Sequence, residues 1–159
     1  MLNYIDYNIK FNKEQVLFNV HFVTDKVARS IIDLPTDKIV EVQTDDEDRN
    51  MQLLDMFFNS AVSDVTMRCD PYIKDVAKDD LIDEVIFSFS FPETWQSKHI
   101  APLKEYIEKY MTYYIIAEYF EIINRDSSIY KVKARDYLSS IKDVINRRNS
   151  VVKKMPQLL

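Results

Sequence analysis

Two histidines, one cysteine, a run of acids and a file of tyrosines are the side chains through which this chain could do chemistry. Neither His21 nor His99 falls in a spacing such as HExxH or CxxC, which would gather ligands around a zinc ion. Cys69 has Arg68 as its only cationic neighbour and closes an apolar stripe, which suits a small core residue better than an activated thiolate. The run Asp45-Asp46-Glu47-Asp48 lacks the alternate-position oxygens and the glycine of a calcium loop. Behind Thr44 it reads instead as a capping box, with Glu47 reaching back and the acids facing the positive end of a helix dipole. Tyr106, Tyr110, Tyr113, Tyr114 and Tyr119 could stack on bases. Base-stacking surfaces pair aromatics with a cationic groove, however, and here Ile and Met stand between them, as in a core or a subunit interface. No triad, carboxylate pair or oxyanion arrangement assembles from the sequence. The expectation is a non-enzymatic protein with no cofactor and no metal.

The 159 residues include no glycine, where average usage would give about eleven. Loops that cradle phosphate need glycine, because only it brings the backbone close through positive φ at no steric cost. P-loop, dinucleotide-binding and nucleophile-elbow sites are thereby excluded. At 47% apolar and 30% charged residues the chain is too hydrophobic for disorder and long enough for one cored domain. No apolar run approaches the ~20 residues of a membrane span, and MLNYIDYNIKF is too polar for a signal peptide. The lone Cys69 fits a protein made in a reducing cytoplasm.

Positioning elements follow from hydrophobic period. Ile5, Tyr7, Ile9 and Phe11 alternate, as do Val16, Phe18, Val20 and Phe22, across the polar Asn12-Lys13-Glu14-Gln15. That pattern predicts a β-hairpin, with Asn12 taking any left-handed turn position. Residues 24–40 read as a short helix through Val27 to Ile32, a break at Pro35, then an extended Ile39-Val40-Val42. A stripe at Met51, Leu54, Phe58, Ala61, Val62, Val65 and Cys69 predicts a helix over about 45–69, ended by Pro71. A polar stretch separates it from Val85, Phe87, Phe89 and Phe91, which alternate as a strand closed by Pro92. Pro102 suits a first helical turn, and the segment to Asn124 is apolar on nearly all sides, hence buried. Tyr130, Ala134, Tyr137, Leu138, Ile141, Val144 and Ile145 predict a last helix within about 128–149, antiparallel to the one before, with Trp95 as a lid. The fold class is therefore α+β and mainly α. An N-terminal β-hairpin and a short strand pack with three main helices (about 45–69, 101–124 and 128–149). Residues 1–150 make a single domain and 151–159 an extended tail.

Charge is segregated. From Asp126 onward eight basic residues face three acidic ones, so the last 34 residues carry +5 and the first 125 carry −10 within a net charge of −5. Such asymmetry suits an electrostatic contact with protein or nucleic acid. The tail also keeps Val151, Val152, Met155, Leu158 and Leu159 beside Lys153 and Lys154. With Arg147 and Arg148 these nine residues form the expected partner-binding segment, apolar groups filling a groove and cations meeting acidic protein or phosphate.

The stretch from Phe87 to Arg148 resembles a known family. An apolar strand, Pro92-x-x-Trp95, the helix IEKYMTYYIIAEYFEIIN, a capped turn, Ala134, Tyr137, Leu138, Ile141 and Ile145, and the pair Arg147-Arg148 are similar to small virion proteins of tailed phages and prophages of Bacteroides-type bacteria. The order of parts resembles head–tail connector (adaptor, ring) proteins, in which an early helix with an acidic cap, here Thr44 to Cys69, packs on a later hydrophobic helix beginning near a proline, here Pro102. The resemblance implies a homo-oligomeric ring, commonly twelve-fold, joining portal to tail at the head–tail junction of the virion, assembled in the host cytoplasm. It also implies portal or neighbouring tail proteins as partners, DNA in the channel, and no membrane. The alternative is a small helical interaction module or regulator of the anti-host or toxin-neutralising type.

Overall fold

The computed structural model describes residues 3–30, 48–79 and 81–147. Its strands are β1 (Tyr4–Asn12), β2 (Ile73–Asp79) and β3 (Glu84–Pro92), and its helices α1 (Lys13–Ser30), α2 (Asp48–Cys69), α3 (Ile100–Ile122) and α4 (Ser128–Ile145). The three antiparallel strands run in the order β1-β3-β2. A short 3-10 turn, Ser97–His99, leads into α3. The chain is α+β and mainly α, as its periodicities predict.

The central strand β3 turns Val85, Phe87, Phe89 and Phe91 to the helices, each buried. On β1, Ile9 stands opposite Phe87 and Phe11 opposite Val85, extending the same apolar face. Helix α3 is the core element, packed by α4, α2 and α1. Its Ile107, Met111 and Ile115 are fully buried and Phe120 nearly so, as expected of a helix apolar all round. Tyr106 and Tyr113 meet Tyr137, Phe120 meets Tyr130, and Glu121 pairs with Lys131. Rising numbers on α3 meet falling numbers on α4, so the two helices are antiparallel.

The N-terminal hairpin is corrected by the structure. Only its first strand exists; residues 13–30 are helical. The four polar residues that resemble a turn are a helix start, with Asn12 Oδ1 accepting the Gln15 backbone N–H at 3.0 Å. That satisfies one of the donors orphaned at every helix N-terminus. Val16, Leu17, Val20, Thr24 and Ala28 are buried at helical spacing, whereas Phe18 and Phe22, the other half of the supposed alternation, face outward. A period of two over four residues was the coincidence of an inward and an outward helical stripe. Residues 27–30 form the last turn of α1; the remainder of the predicted helix to Ile32, the Pro35 break, the extended Ile39–Val42 and the Thr44–Glu47 box lie outside the described residues.

The polar stretch after Pro71 contains β2, an edge strand whose charged IKDVAKD carries little apolar signal of its own. Its pairing with β3 supplies the order. Left-handed backbone falls not on Asn12 but on Asp83 (φ 49°) and Asn124 (φ 55°). Asn124 completes a Schellman ending of α3, with Asn124 N–H bound to Glu121 O and Arg125 N–H to Phe120 O. The helix therefore stops at Ile122, short of the expected 124. The last helix stops at Ile145, short of 149, where its apolar stripe ends.

Replacing Ile115 with Ala should lower stability by about 2–5 kcal/mol, measured by denaturant unfolding. Asn12→Ala should cost about 0.5–2 kcal/mol through the lost cap alone.

Candidate functional site

The residues that could do chemistry are dispersed. His21 is half-buried on α1, and His99 lies in the 3-10 turn before α3. Burial, then the positive charges of Lys98 and Arg147, hold the His99 imidazole below its ordinary range, so it is neutral at physiological pH. Cys69 is fully buried at the end of α2, and burial pushes its thiol up to about 12. Tyr110 donates to Asp64 Oδ2 at 2.7 Å; burial first, and then this carboxylate, raise its phenol. The contact ties α3 to α2. Among the described residues no group of three or more His, Cys, Asp or Glu is placed to hold a metal ion. No helix among them is long and apolar enough to cross a membrane.

What the fold does build is a groove. Asn19, Phe22 and Val23 of α1 face Ala101, Lys104, Glu105, Glu108, Lys109, Thr112 and Tyr113 of α3 across a volume of about 510 Å³. Asn19 Nδ2 donates to Glu108 Oε1 at 3.2 Å, bridging the two helices. Phe22 is 53% exposed and Phe18, one turn earlier, 63%. The Lys26 ammonium lies 4.5 Å from the Phe22 ring centre, a cation on an aromatic face.

Beyond Tyr113 the tyrosines continue as a ladder between α3 and α4. Tyr113 and Tyr137 are parallel within 3° at 5.7 Å, with Tyr130 and Tyr106 on either side. Lys133 stands 5.0 Å from the Tyr113 ring and Lys109 5.5 Å from Tyr137. Lys109 also donates to Glu105 at 2.6 Å, which outweighs partial burial and raises its pKa. The groove thus combines apolar and aromatic groups (Phe22, Val23, Ala101, Tyr113) with charged groups of both signs (Lys104, Glu105, Glu108, Lys109).

Of the expected partner-binding residues, Arg147 is exposed just past α4. Arg148, Val151, Val152, Lys153, Lys154, Met155, Leu158 and Leu159 lie outside the described residues. Phe18 and Phe22 were not anticipated as surface groups, because strand alternation assigned them to a sheet. The Asn12-x-x-Gln15 start signal, followed by Val16, Val20, Thr24 and Ala28 every fourth residue, was the pattern that placed them outward. Trp95 is the buried lid expected, its Nε1 donating to Val144 O at 3.0 Å.

No family model, no curated protein and no solved structure matches this chain.

The Cys69 environment makes a pH prediction. With the folded thiol raised above its unfolded value of 9.0, its contribution to stability is present below pH 9 and falls as pH rises toward 12. Thiol reagents at pH 8 should label the native protein negligibly and the denatured protein fully. Rapid native labelling would place Cys69 at the surface.

Proposed function

We propose that this chain is a non-enzymatic structural protein of a phage virion, a head–tail connector component that joins portal to tail as an oligomeric ring. The observation that carries the reading is the groove between α1 and α3, with the exposed Phe22 of α1 at its edge. Exposed aromatic rings beside a pocket are the groups that dominate protein–protein binding. The charge pattern supports it as well. A body of −10 and a C-terminal portion of +5 on one chain favour a head-to-tail contact in which the basic end of one copy meets the acidic body of the next. Head-to-tail contacts are the kind that close into rings. The resemblance of Phe87–Arg148 to small phage virion proteins, and of the order of parts (Thr44 to Cys69, then the helix near Pro102) to connector proteins, supports a place at the head–tail junction.

The same groove, complete on a single chain, favours a second reading as a small interaction module or regulator that binds one partner. The two differ in where the protein is found. Mass spectrometry of virions purified from the host carrying the gene should detect the chain in ring stoichiometry, about twelve copies for each twelve-fold portal. Its absence from virions, with a one-to-one complex in the host lysate, would select the regulator.

Phe22→Ser should leave the thermal midpoint nearly unchanged, since the ring is half exposed, yet reduce incorporation into virions at least ~10-fold, equivalent to about 1.4 kcal/mol of contact energy. Wild-type incorporation of this variant would remove the groove from the assembly surface.

A further inference from the structure

The sheet has two edges, and they are built differently. β2 spans seven residues, carries Lys74 and Lys78, and shifts its register with β3 between Ile73 and Asp75. Charges, shortness and a bulge are the devices that keep an edge from pairing further. β1 is nine residues long, has no proline, and pairs with β3 in unbroken register from Tyr4 to Asn12. Just beyond its ends the Lys13 N–H binds the Asp83 carbonyl and the Glu93 N–H binds the Asn3 carbonyl. Both contacts continue the same register, so the odd-numbered residues of β1 carry the ladder to β3. Pro92, which has no N–H, accordingly stands opposite Tyr4. The backbone N–H and C=O groups of Tyr4, Asp6, Asn8 and Lys10 therefore point away from β3. All four residues are exposed, and among the described residues no strand pairs with that edge.

We infer that two copies of this chain pair through β1, antiparallel about a two-fold axis at Asn8, into one six-stranded sheet. The side chains select this occupant and this register. Read against itself around Asn8, the strand sets Asp6 opposite Lys10 of the second copy, twice, and Tyr7 opposite Ile9. Opposite charges facing across strands attract, and like charges there repel. Moving the axis to Asp6 or to Lys10 sets that charge opposite itself. Moving it to Tyr7 or Ile9 leaves both charges opposite neutral residues. A slip that pairs odd with even residues turns the apolar face of one copy toward the outer face of the other. Within its own chain Asp6 holds Lys74 at 2.8 Å, and Lys10 lies 3.8 Å from Glu84. Across the dimer these pairs join into two rows of alternating sign, each running Lys74, Asp6, Lys10, Glu84. The contact is isologous, the same strand serving both copies. It makes no use of the α1–α3 groove and is independent of the functional reading built on that groove.

Sedimentation velocity of the full chain over a range of concentrations tests this, with charge reversals at the two facing positions. The unaltered chain should form a dimer. Asp6→Lys brings cations face to face and Lys10→Asp brings anions, so each variant alone should dimerise at least ~10-fold more weakly. An equimolar mixture of the two variants restores opposite charges at both positions and should form a heterodimer near the original strength. Both side chains are exposed and their own ion pairs lie at the surface, so the thermal midpoints should barely move. A chain that stays monomeric at every concentration overturns the proposal. So does a dimer that both reversals leave intact, or one that they weaken and the mixture does not restore. If such an intact dimer is lost on Phe22→Ser, association belongs to the groove instead. A second measurement changes no charge. Under mild oxidation Asn8→Cys should link two copies, because the Cα separation of about 5.5 Å in a hydrogen-bonded pair suits a disulfide. The buried Cys69 does not compete. Tyr4→Cys, which this register places opposite Asn12, should stay unlinked. Linkage at position 4 equal to that at position 8, or none at position 8, would overturn the two-fold pairing at Asn8.

Discussion

The stacked indole of Trp95 is the joint on which the rest of the molecule hangs. Its ring lies 3.9 Å from that of Phe91, nearly parallel, and meets Tyr7 edge-on at 5.5 Å. Phe91 in turn stacks on Phe89, and Phe89 on Phe87, so an aromatic column runs the length of the central strand. The indole N–H leaves this column and binds the Val144 carbonyl near the end of the last helix. A buried indole donor needs an acceptor, and here the acceptor belongs to the helical layer. One side chain therefore fastens sheet to helices through both apolar area and a directed bond. It also sets the spatial relation of α3 and α4 at the end where the chain leaves the described structure.

A chain without glycine must find other residues for its tightest turns. Asn124 and Asp83 take the left-handed positions, since their short polar side chains lower the cost of that conformation. Asp126 then accepts from both the N–H and the hydroxyl of Ser128, which starts α4 and holds the carboxylate below its usual pKa range. Side chains do here what a glycine backbone does elsewhere. At the other end of the sheet Lys13 pairs with Asp55 at 2.7 Å, while its N–H binds the Asp83 carbonyl. The first turn of α1, the β2–β3 turn and α2 are joined through one residue. Burial lowers the pKa of that ammonium, but its two carboxylate partners outweigh the effect and raise it.

These joints leave α1 pinned at its start and bridged to α3 by Asn19 and Glu108, with Phe22 set over the gap between the helices. The groove is a consequence of packing two helices whose facing residues are short or polar: Ala101, Thr112 and Asn19 do not fill the space that leucines would. The tyrosine ladder beside it is well ordered on its inner side by ring contacts with α4. The aromatic column and the buried α3 form the frame on which this groove stands.

Periodicity was enough to place α3, α4, β3 and the buried Ile107, Met111, Ile115 and Phe120, because long stripes and proline or capping punctuation admit few alternatives. The absence of glycine was equally legible, being a matter of composition. The helical nature of residues 13–30 was open to misreading because four apolar residues satisfy two periods at once. Only the fit of Val16, Val20, Thr24 and Ala28 into the core settles which period the backbone adopts. Strand β2 was illegible for another reason: its order comes from hydrogen bonds to β3, and a charged edge strand carries little hydrophobic pattern. The groove belongs wholly to tertiary structure. Its two walls stand some eighty residues apart in sequence, and a gap between helices is a property of how side chains from both fail to meet.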